Sequence, residues 1–298
     1  MLQITEDFKN QVVDALMAQR RNFTGRDIDF SRIYGINNSV FSSLKSGKRE
    51  GLLTPAKWLN LGRSLDISTT ERRWNMARTD VFNTIEEESQ FCKEYSKSMI
   101  FVDDCGIGKT YAARYLSRTV ENCFYIDASQ SKTKSSFIRA LAKTVGVGDA
   151  GRIMDLKADT KFYLKQLHKP LILVDEAGDL EYAAFMELKE FWNATDGCCG
   201  WYLLGADGLR EKIERGKRNR KVGFAEMFSR LSERYSSAVP FDRHEKVQFY
   251  KKLITDVLSA NMDDQSRISD IVVRCLSTDE TGHVGGLRRA ESLLILNS

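Results

Sequence analysis

The sequence has little of what membrane, secreted and fibrous proteins need. No apolar run approaches the roughly 18 residues of a membrane-spanning helix, so we expect no membrane span. The first residues, Met1-Leu-Gln-Ile-Thr-Glu-Asp, have neither a basic region nor a hydrophobic core, which predicts a cytoplasmic protein without a secretion signal. Only 3 prolines occur, and low-complexity tracts are absent. The 42% apolar and 29% charged residues are typical of a globular protein, here long enough for two domains.

Metal-binding and disulfide patterns are also missing. The 6 cysteines show no Cys-x-x-Cys spacing and the 3 histidines are scattered, which argues against a disulfide framework and against a metal site. We therefore expect reduced thiols. The net charge is only +4, so any nucleic-acid-binding surface must be local. The cysteines are Cys92, Cys105, Cys123, Cys198, Cys199 and Cys275.

The strongest motif follows a short apolar run. Residues Met99–Val102 predict a buried strand that leads directly into Asp103-Asp-Cys-Gly-Ile-Gly-Lys-Thr110 and a helix-like segment. This order predicts a phosphate-binding loop, in which glycines let backbone N–H groups surround an anion. Lys109 would reach the outer phosphates, and the Thr110 hydroxyl would bind Mg²⁺. Asp103 stands where the pattern has glycine, and the alternative is a chance match with an ordinary strand-to-helix turn. The expected nucleotide-binding residues of this loop are Asp104, Cys105, Gly106, Ile107, Gly108, Lys109, Thr110 and Tyr111.

A second motif, Pro170-Leu-Ile-Leu-Val-Asp-Glu176, is an apolar strand that ends in two carboxylates. Asp175 would hold Mg²⁺ directly or through water. Glu176 would polarise the water that attacks the γ-phosphate. A buried strand capped by solvated acids is the alternative. Because both motifs occur in the required order, they predict binding of ATP or GTP.

The N-terminal part, residues 1–68, predicts a small all-helical domain. Asp7–Arg20 has helical spacing of apolar residues, and a short helix should end near Gly35. A second helix should begin around Asn38, with its polar side chains facing outward, and end at Gly47. This pattern is typical of a helix-turn-helix that binds DNA. The alternative is a helical bundle with a solvated polar face.

The rest of the chain divides into three parts. Residues 69–97 predict a polar linker and a helix at Asp80–Tyr95, residues 98–241 alternate strands with helices, and residues 242–298 are again helical. The alternation predicts an α/β core whose parallel sheet has helices on both faces. The C-terminal helices would form a small lid. The predicted strands are Met99–Val102, Cys123–Asp127, Leu171–Val174, Trp201–Gly205 and Ala238–Phe241.

Two basic clusters are candidates for contacting DNA. The first surrounds the expected helix start at Ser135, and the second has 7 basic and 2 acidic residues between Arg210 and Lys221. Gly216 and Asn219 predict a loop in the second cluster. Neither cluster has interleaved aromatics, which favours sequence-independent binding to the backbone of double-stranded DNA. A solvated charged face is the alternative for both. The residues concerned are Lys132, Thr133, Lys134, Lys212, Arg215, Lys217, Arg218, Arg220 and Lys221.

From about residue 80 onward the chain resembles the AAA+ ATPases, which implies an AAA+ P-loop core that binds ATP and Mg²⁺. The segment Trp201-Tyr-Leu-Leu-Gly-Ala-Asp-Gly208 lies where that family has a polar sensor of the γ-phosphate. Ala206 occupies the first position for it, so either Asp207 is the sensor or the sensor is missing. The segment Ser229-Arg-Leu-Ser-Glu-Arg-Tyr235 is similar to the one that carries an arginine finger into a neighbouring subunit. Arg230 and Arg234 are both candidates, since their spacing places them on one helical face. A surface helix with solvated arginines is the alternative.

The C-terminal segment Gly285-Gly-Leu-Arg-Arg-Ala-Glu291 resembles the lid motif of the same superfamily. There an arginine near a helix start contacts the γ-phosphate, which makes Arg288 the first candidate and Arg289 the second. A C-terminal helix preceded by a capping glycine pair is the alternative.

Within the superfamily, the layout is most similar to the family of the phage Mu B transposition protein and related transposon ATPases. Its N-terminal helix-turn-helix segment, Ser31–Lys48, resembles the first domain of that family. The resemblance implies a bacterial or phage protein that assembles as a homo-oligomer or helical filament on double-stranded DNA. Such proteins direct a DDE-type transposase to target DNA, stimulate strand transfer and hydrolyse ATP.

Two other functions stay open at this point. One is a helicase-loader ATPase of the replication-initiation type, which shares the core and the DNA affinity. The other is a nucleotide-gated DNA-binding regulator with little turnover, which Asp103 and Ala206 favour and Glu176 opposes.

Overall fold

The computed structural model describes residues 4–65, 67, 75–277 and 285–296. The predicted linker at 69–73 lies outside these residues. The described helices are α1 Glu6–Arg21, α2 Asp27–Ile33, α3 Asn38–Lys45, α4 Pro55–Ser64, α5 Asp80–Tyr95, α6 Lys109–Thr119, α7 Lys134–Val145, α8 Ile153–Gln166, α9 Tyr182–Ala194, α10 Asp207–Arg218, α11 Phe224–Arg230, α12 Arg243–Asn261, α13 Ile268–Leu276 and α14 Leu287–Leu296. The described strands are β1 Ser98–Val102, β2 Cys123–Asp127, β3 Leu171–Asp175, β4 Gly200–Gly205 and β5 Tyr235–Ser236.

The five strands form one parallel sheet in the order β2-β3-β4-β1-β5. Side chains alternate between its two faces. On one face Ile100 and Val174 join a core with α7 and α9, and on the other Phe101 and Leu173 pack with α5 and α6. Both faces are therefore buried, which explains why the strands are almost entirely apolar. The predicted parallel α/β sheet with flanking helices is confirmed.

The predicted fifth strand at Ala238–Phe241 is wrong. The fifth strand is Tyr235–Ser236, which pairs with β1. The backbone N–H groups of Ala238 and Val239 donate to the Asp103 carboxylate, at 2.6 and 3.0 Å, instead of to a neighbouring strand. Pro240 then has no N–H to offer. The other four predicted strands lie within one residue of their observed ends.

Helices α1 to α4 surround a separate N-terminal core that includes Phe41 and Leu44. Helix α1 begins where the Thr5 hydroxyl accepts from the Phe8 N–H, with acidic residues in its first turn and basic ones in its last. Helix α2 is followed by Gly35 with φ of 65°, and the buried Ile36 fills the turn before α3. The turn and both helices agree with the predicted pattern. Helix α3 exposes Asn38, Ser39, Ser42 and Lys45.

The N-terminal domain is docked on the α/β core through specific contacts. The buried Asn22 side chain accepts from the Asn122 N–H at 2.8 Å and donates to the Cys123 carbonyl at 3.4 Å, at the start of β2. The Arg21 guanidinium donates to the Arg118 carbonyl at the end of α6. The domain therefore rests on the helix that begins in the phosphate-binding loop.

The C-terminal helices α12 to α14 form a lid with its own small core, and this lid reaches the phosphate-binding loop. The Leu287 N–H donates to the Gly106 carbonyl at 3.1 Å. A Cβ on Gly286 would lie 3.2 Å from that same oxygen, so a side chain there would crowd the contact. The start of α14 is thereby held against the loop.

Candidate functional site

The loop between β1 and α6 has the geometry of an anion cradle. Gly106 and Gly108 adopt φ of 74° and 101°, a left-handed conformation that other residues rarely tolerate. The Lys109 ammonium, 7% exposed, donates to the carbonyls of Asp103 and Asp104 at 2.9 and 2.7 Å. Burial lowers the pKa of this ammonium, and nearby acidic groups partly oppose the shift. The loop thus holds a desolvated cation beside N–H groups at a helix N-terminus, which suits a phosphate chain.

Asp103, which replaces the first glycine of the pattern, is a structural anchor. Its carboxylate is 7% exposed and accepts from the N–H groups of Ala238, Val239 and Asp104. These bonds tie the start of the loop to the segment that follows β5. The carboxylate is therefore directed into the protein, where it accepts hydrogen bonds from backbone N–H groups.

Asp104 connects the same loop to the lid. Its carboxylate accepts from the Tyr250 hydroxyl at 2.8 Å and pairs with the Lys246 ammonium at 2.6 Å, both on α12. Burial alone would raise the pKa of Asp104, but the hydrogen bonds from Lys246 and Tyr250 lower it. Asp104 is thus held as a carboxylate that joins loop and lid.

The paired acids lie at the carboxyl end of β3. Asp175 is 1% exposed, and its carboxylate accepts from the Tyr125 hydroxyl at 3.1 Å and from the Glu176 N–H at 3.0 Å. Glu176 has a left-handed backbone, with φ of 49°, which is uncommon for this residue type and frequent at functional sites. Burial and the neighbouring Asp175 charge raise the pKa of the Glu176 carboxyl.

A cavity of about 460 Å³, called the loop cavity here, brings most of the predicted nucleotide residues together. Lys109, Thr110 and Glu176 line its phosphate end, and hydroxyl and carboxylate oxygens of this kind are ligands that suit Mg²⁺. Asp175 lies next to Glu176 but does not line the cavity wall. The described residues that line it are Asn75, Ala77, Thr79, Phe82, Cys105, Gly106, Ile107, Gly108, Lys109, Thr110, Tyr111, Arg114, Glu176, Val257, Leu287, Arg288 and Glu291.

Arg288 lines the loop cavity and also a second cavity of about 650 Å³ on the other side of the loop. Asp207 and Ala206 line the second cavity with Asp103 and Asp104. The Asp207 side chain is 87% exposed and lies 3.7 Å from the Arg210 guanidinium. Arg288 is therefore placed at the phosphate end of the loop, whereas Asp207 faces a separate opening.

The two arginine-finger candidates do not share a helical face, which corrects the prediction. Helix α11 ends at Arg230, and a turn with left-handed Ser232 and Glu233 separates it from Arg234. The Arg230 guanidinium contacts the Glu226 carboxylate at 3.4 Å and the Asn193 side chain. Arg234 is exposed in the turn.

The first basic cluster lies at the start of α7, where Thr133 caps the helix. Its two lysines both have acidic partners. The Lys132 ammonium lies 2.8 Å from Asp179, and the Lys134 ammonium lies 2.7 Å from the buried Glu187. The positive charge of this cluster is therefore partly compensated.

The second basic cluster is mostly helical, which corrects the predicted loop. Helix α10 continues to Arg218 and includes Gly216, where a side chain would collide with the Phe224 ring. The Lys212 ammonium is directed inward and donates to the carbonyls of Gly178 and Leu180, in the turn after Glu176. Lys212 thus stabilises the turn that follows Glu176 and is not available as a surface cation.

The other basic residues of this cluster lie at the surface. Lys221 lies over the Tyr182 ring at 3.8 Å, and Lys217 lies over the Phe228 ring at 3.9 Å and 3.0 Å from Glu214. Arg218 is 3.6 Å from Glu211. Arg215 and Arg220 are exposed at the outer side.

Sequence reasoning missed several residues around the loop cavity. Asn75, which precedes α5, is held by reciprocal hydrogen bonds with Asn261 of the lid and lines the cavity. Arg114 lines it from α6, and Tyr125 supports Asp175 from β2. These side chains come from separate elements and belong to no local motif, so spacing along the chain gives no signal for them.

Among the described residues, no helix is long and apolar enough to cross a membrane. No group of three or more histidine, cysteine or acidic side chains is arranged as a metal site in the described part of the chain.

Residues 93–213 match a family model described as "AAA domain". No curated protein shows a significant sequence match to the chain. A solved structure described as "crystal structure of DNA replication initiation factor" matches with a TM-score of 0.43 and 13% identity, over 74% of this chain and 62% of that one. The chain thus spans less than two thirds of that structure's length. The AAA domain match and the parallel five-stranded sheet confirm the AAA+ P-loop fold expected from the sequence.

Proposed function

We propose that this protein is a DNA-dependent AAA+ ATPase. The observation that carries the proposal is the loop cavity itself, which is lined by Lys109 and Thr110 at the start of α6 and by Glu176 directly after β3. Asp175 lies behind Glu176 and is held by Tyr125. A phosphate cradle alone would bind a nucleotide. A carboxylate with a raised pKa beside it is the group that turnover requires.

Each residue has a distinct part in this mechanism. The glycines of the loop and Lys109 would hold the β- and γ-phosphates. Thr110 would hold Mg²⁺, as would Asp175 directly or through water, and the ion would neutralise phosphate charge. Glu176 accepts a proton from the attacking water. Lys212 keeps the turn after Glu176 in place through the Gly178 and Leu180 carbonyls. Arg288 stabilises negative charge on the γ-phosphate from the lid side.

The N-terminal domain supports an action on DNA. It has a helix-turn-helix whose second helix exposes short polar side chains and Lys45. The core adds the exposed Arg215, Arg218, Arg220 and Lys221 at and after the end of α10. This combination suits binding that is largely independent of base sequence. The chain resembles the Mu B family, and on that ground its partner is a DDE-type transposase. In this function the protein assembles on target DNA in the bacterial cytoplasm, and the assembly selects the site at which the transposase inserts.

The proposal is tested by measuring phosphate release from ATP with and without duplex DNA and with a purified transposase partner. We expect turnover to rise when DNA is added, because assembly on DNA brings protomers together. Electron microscopy with DNA and a slowly hydrolysed ATP analogue should show filaments or rings. Dispersed monomers and a DNA-independent rate would contradict the proposal.

The affinity for duplex DNA should fall steeply with salt. If about six phosphates are contacted, the affinity should drop on the order of 10³-fold between about 50 and about 200 mM salt, because bound counterions are released on binding. Fluorescence anisotropy with two duplexes of unrelated sequence measures this drop and its dependence on sequence. Affinity that is almost constant over this range would exclude backbone binding.

Hydrolysis should require an arginine from a neighbouring protomer. Replacing the responsible residue, Arg230 or Arg234, by Ala should lower assembled turnover at least about 10³-fold while ATP still binds. Mixing this variant with Glu176→Gln should restore part of the rate, since the variant's intact acidic site then receives the arginine of its neighbour. If neither arginine variant loses activity, or if the mixture stays inactive, an arginine supplied in trans is excluded.

A further inference from the structure

A groove of about 160 Å³ lies where the N-terminal domain meets the core, and we call it the junction groove. Helices α1 and α4 contribute Gln19 and Ser64 to it. The core contributes Arg118 from α6 and Lys143 from α7. Tyr34, at the end of α2, also lines it, so the groove lies beside the helix-turn-helix.

The charged side chains that the structure describes in the junction groove are all basic. Arg114, Arg118 and Lys143 line it, and no acidic side chain is among the described residues that do. The Lys143 ammonium is 3.9 Å from Asp149, at the outer limit of an ion pair. Hydroxyl and amide groups such as Ser64 and Gln19 add hydrogen-bond donors. Cations combined with short polar donors are the groups that proteins use to contact phosphates of nucleic acids.

The same groove is connected to the nucleotide site. Arg114 lines both the junction groove and the loop cavity. Its guanidinium lies 5.4 Å from the centre of the Tyr125 ring, and the Tyr125 hydroxyl donates to Asp175 at 3.1 Å. Arg114 and Tyr125 therefore connect the groove to the proposed Mg²⁺ ligand by direct contacts.

We propose that the junction groove binds a backbone phosphate of duplex DNA and that Arg114 and Tyr125 transmit its occupancy to Asp175. This inference rests on the proposed function, to which it adds a contact outside both basic clusters. The groove lies beside the helix-turn-helix, and the first helix of that motif crosses the DNA backbone in known complexes. This position favours a phosphate of duplex DNA as the occupant. A free phosphate would satisfy the same donors, so the experiment must separate the two.

The binding test compares the wild-type chain with Arg118→Gln/Lys143→Gln. The matched control is Lys165→Gln/Arg243→Gln, which removes one exposed lysine and one exposed arginine that do not line the groove. With a non-hydrolysable ATP analogue, the groove variant should bind duplex DNA at least about 10-fold more weakly, and the slope of log affinity against log salt should decrease by about two. Equal affinity and slope in wild-type protein and groove variant overturn the proposal while leaving the proposed function intact.

Failure of the proposed function has a different signature. If the wild-type chain does not bind duplex DNA at any salt, that function fails, and the groove is judged by inorganic phosphate added to ADP-saturated protein. If phosphate raises the melting temperature of the wild-type protein but not of the groove variant, the groove is a phosphate site whose ligand is free phosphate. No rise in the wild-type protein would overturn the site.

The transmission step is tested by Tyr125→Phe, which keeps the ring under Arg114 and removes the hydroxyl that reaches Asp175. This variant should bind DNA as the wild type does, whereas the stimulation of ATP turnover by DNA should fall at least about twofold. Unchanged stimulation overturns the transmission from the groove to Asp175. If Tyr125 has only a structural role, the basal and the stimulated rates should fall together and their ratio should stay constant. That result would also contradict the proposed transmission.

Discussion

Replacing Glu176 by Gln is expected to lower ATP turnover by about 10²- to 10⁴-fold without weakening ATP binding. The amide keeps the shape of the side chain but cannot accept the proton of the attacking water. Its neighbours Lys109 and Thr110, which hold the phosphates in the proposed mechanism, stay in place. Phosphate release and equilibrium binding of ATP, measured separately, give the two quantities.

Glu181→Gln is the matched control, because this exposed carboxylate lies only five residues further along, at the start of α9. It should turn over ATP at the wild-type rate. Equal rates for wild type and Glu176→Gln would show that the cavity binds nucleotide without hydrolysing it through this carboxylate.

The pH profile gives an independent check of the same residue. Burial and Asp175 raise the pKa of Glu176, and only the deprotonated carboxylate can act as the base. Turnover should therefore fall as the pH decreases through the pKa of this carboxyl, because its protonated form cannot accept the proton of the attacking water. In Glu176→Gln the residual rate should lack this dependence on pH.

Local sequence patterns predicted most of the fold because several independent signals indicated the same element. The apolar run before Asp103, the glycines of the loop and the helix after it all agree, so the chain specifies this unit locally. The same holds for α5, which begins and ends where the sequence predicts, with Thr79 as its cap and Ser96 in a left-handed conformation at its end.

The predictions that failed depended on contacts between distant parts of the chain. The strand expected at Ala238–Phe241 loses its backbone donors to Asp103, a residue more than 130 positions earlier. Gly216 lies within a helix, and the ring of Phe224 at the start of the next helix occupies the space that a side chain there would need. Lys212 looks like a surface cation in the sequence, yet two carbonyls in a distant turn draw it inward. No window of neighbouring residues contains these partners.

Asp103→Gly restores the usual glycine of the loop, and it is expected to destabilise the protein rather than to improve nucleotide binding. The change leaves the N–H groups of Ala238 and Val239 without their charged acceptor, in a site where Asp103 is 7% exposed. Hydrogen bonds to a charged group contribute about 1.5–3 kcal/mol, so the free energy of unfolding should fall by about that amount. At about 2–4 °C per kcal/mol, the melting temperature should fall by several degrees.

Two aspartate-to-asparagine variants separate the effect of the lost hydrogen bonds from the effect of the added backbone flexibility of glycine. Asp103→Asn keeps the size of the side chain but turns an amide donor toward backbone donors, so it should also lower the melting temperature. Asp159→Asn on the exposed face of α8 makes the same chemical change without a buried partner and should leave it unchanged. Since Asp103 also fixes the start of the loop that holds Lys109, ATP affinity in Asp103→Gly should be equal or weaker. Tighter ATP binding with unchanged stability would show instead that Asp103 acts on the phosphates as an unfavourable charge.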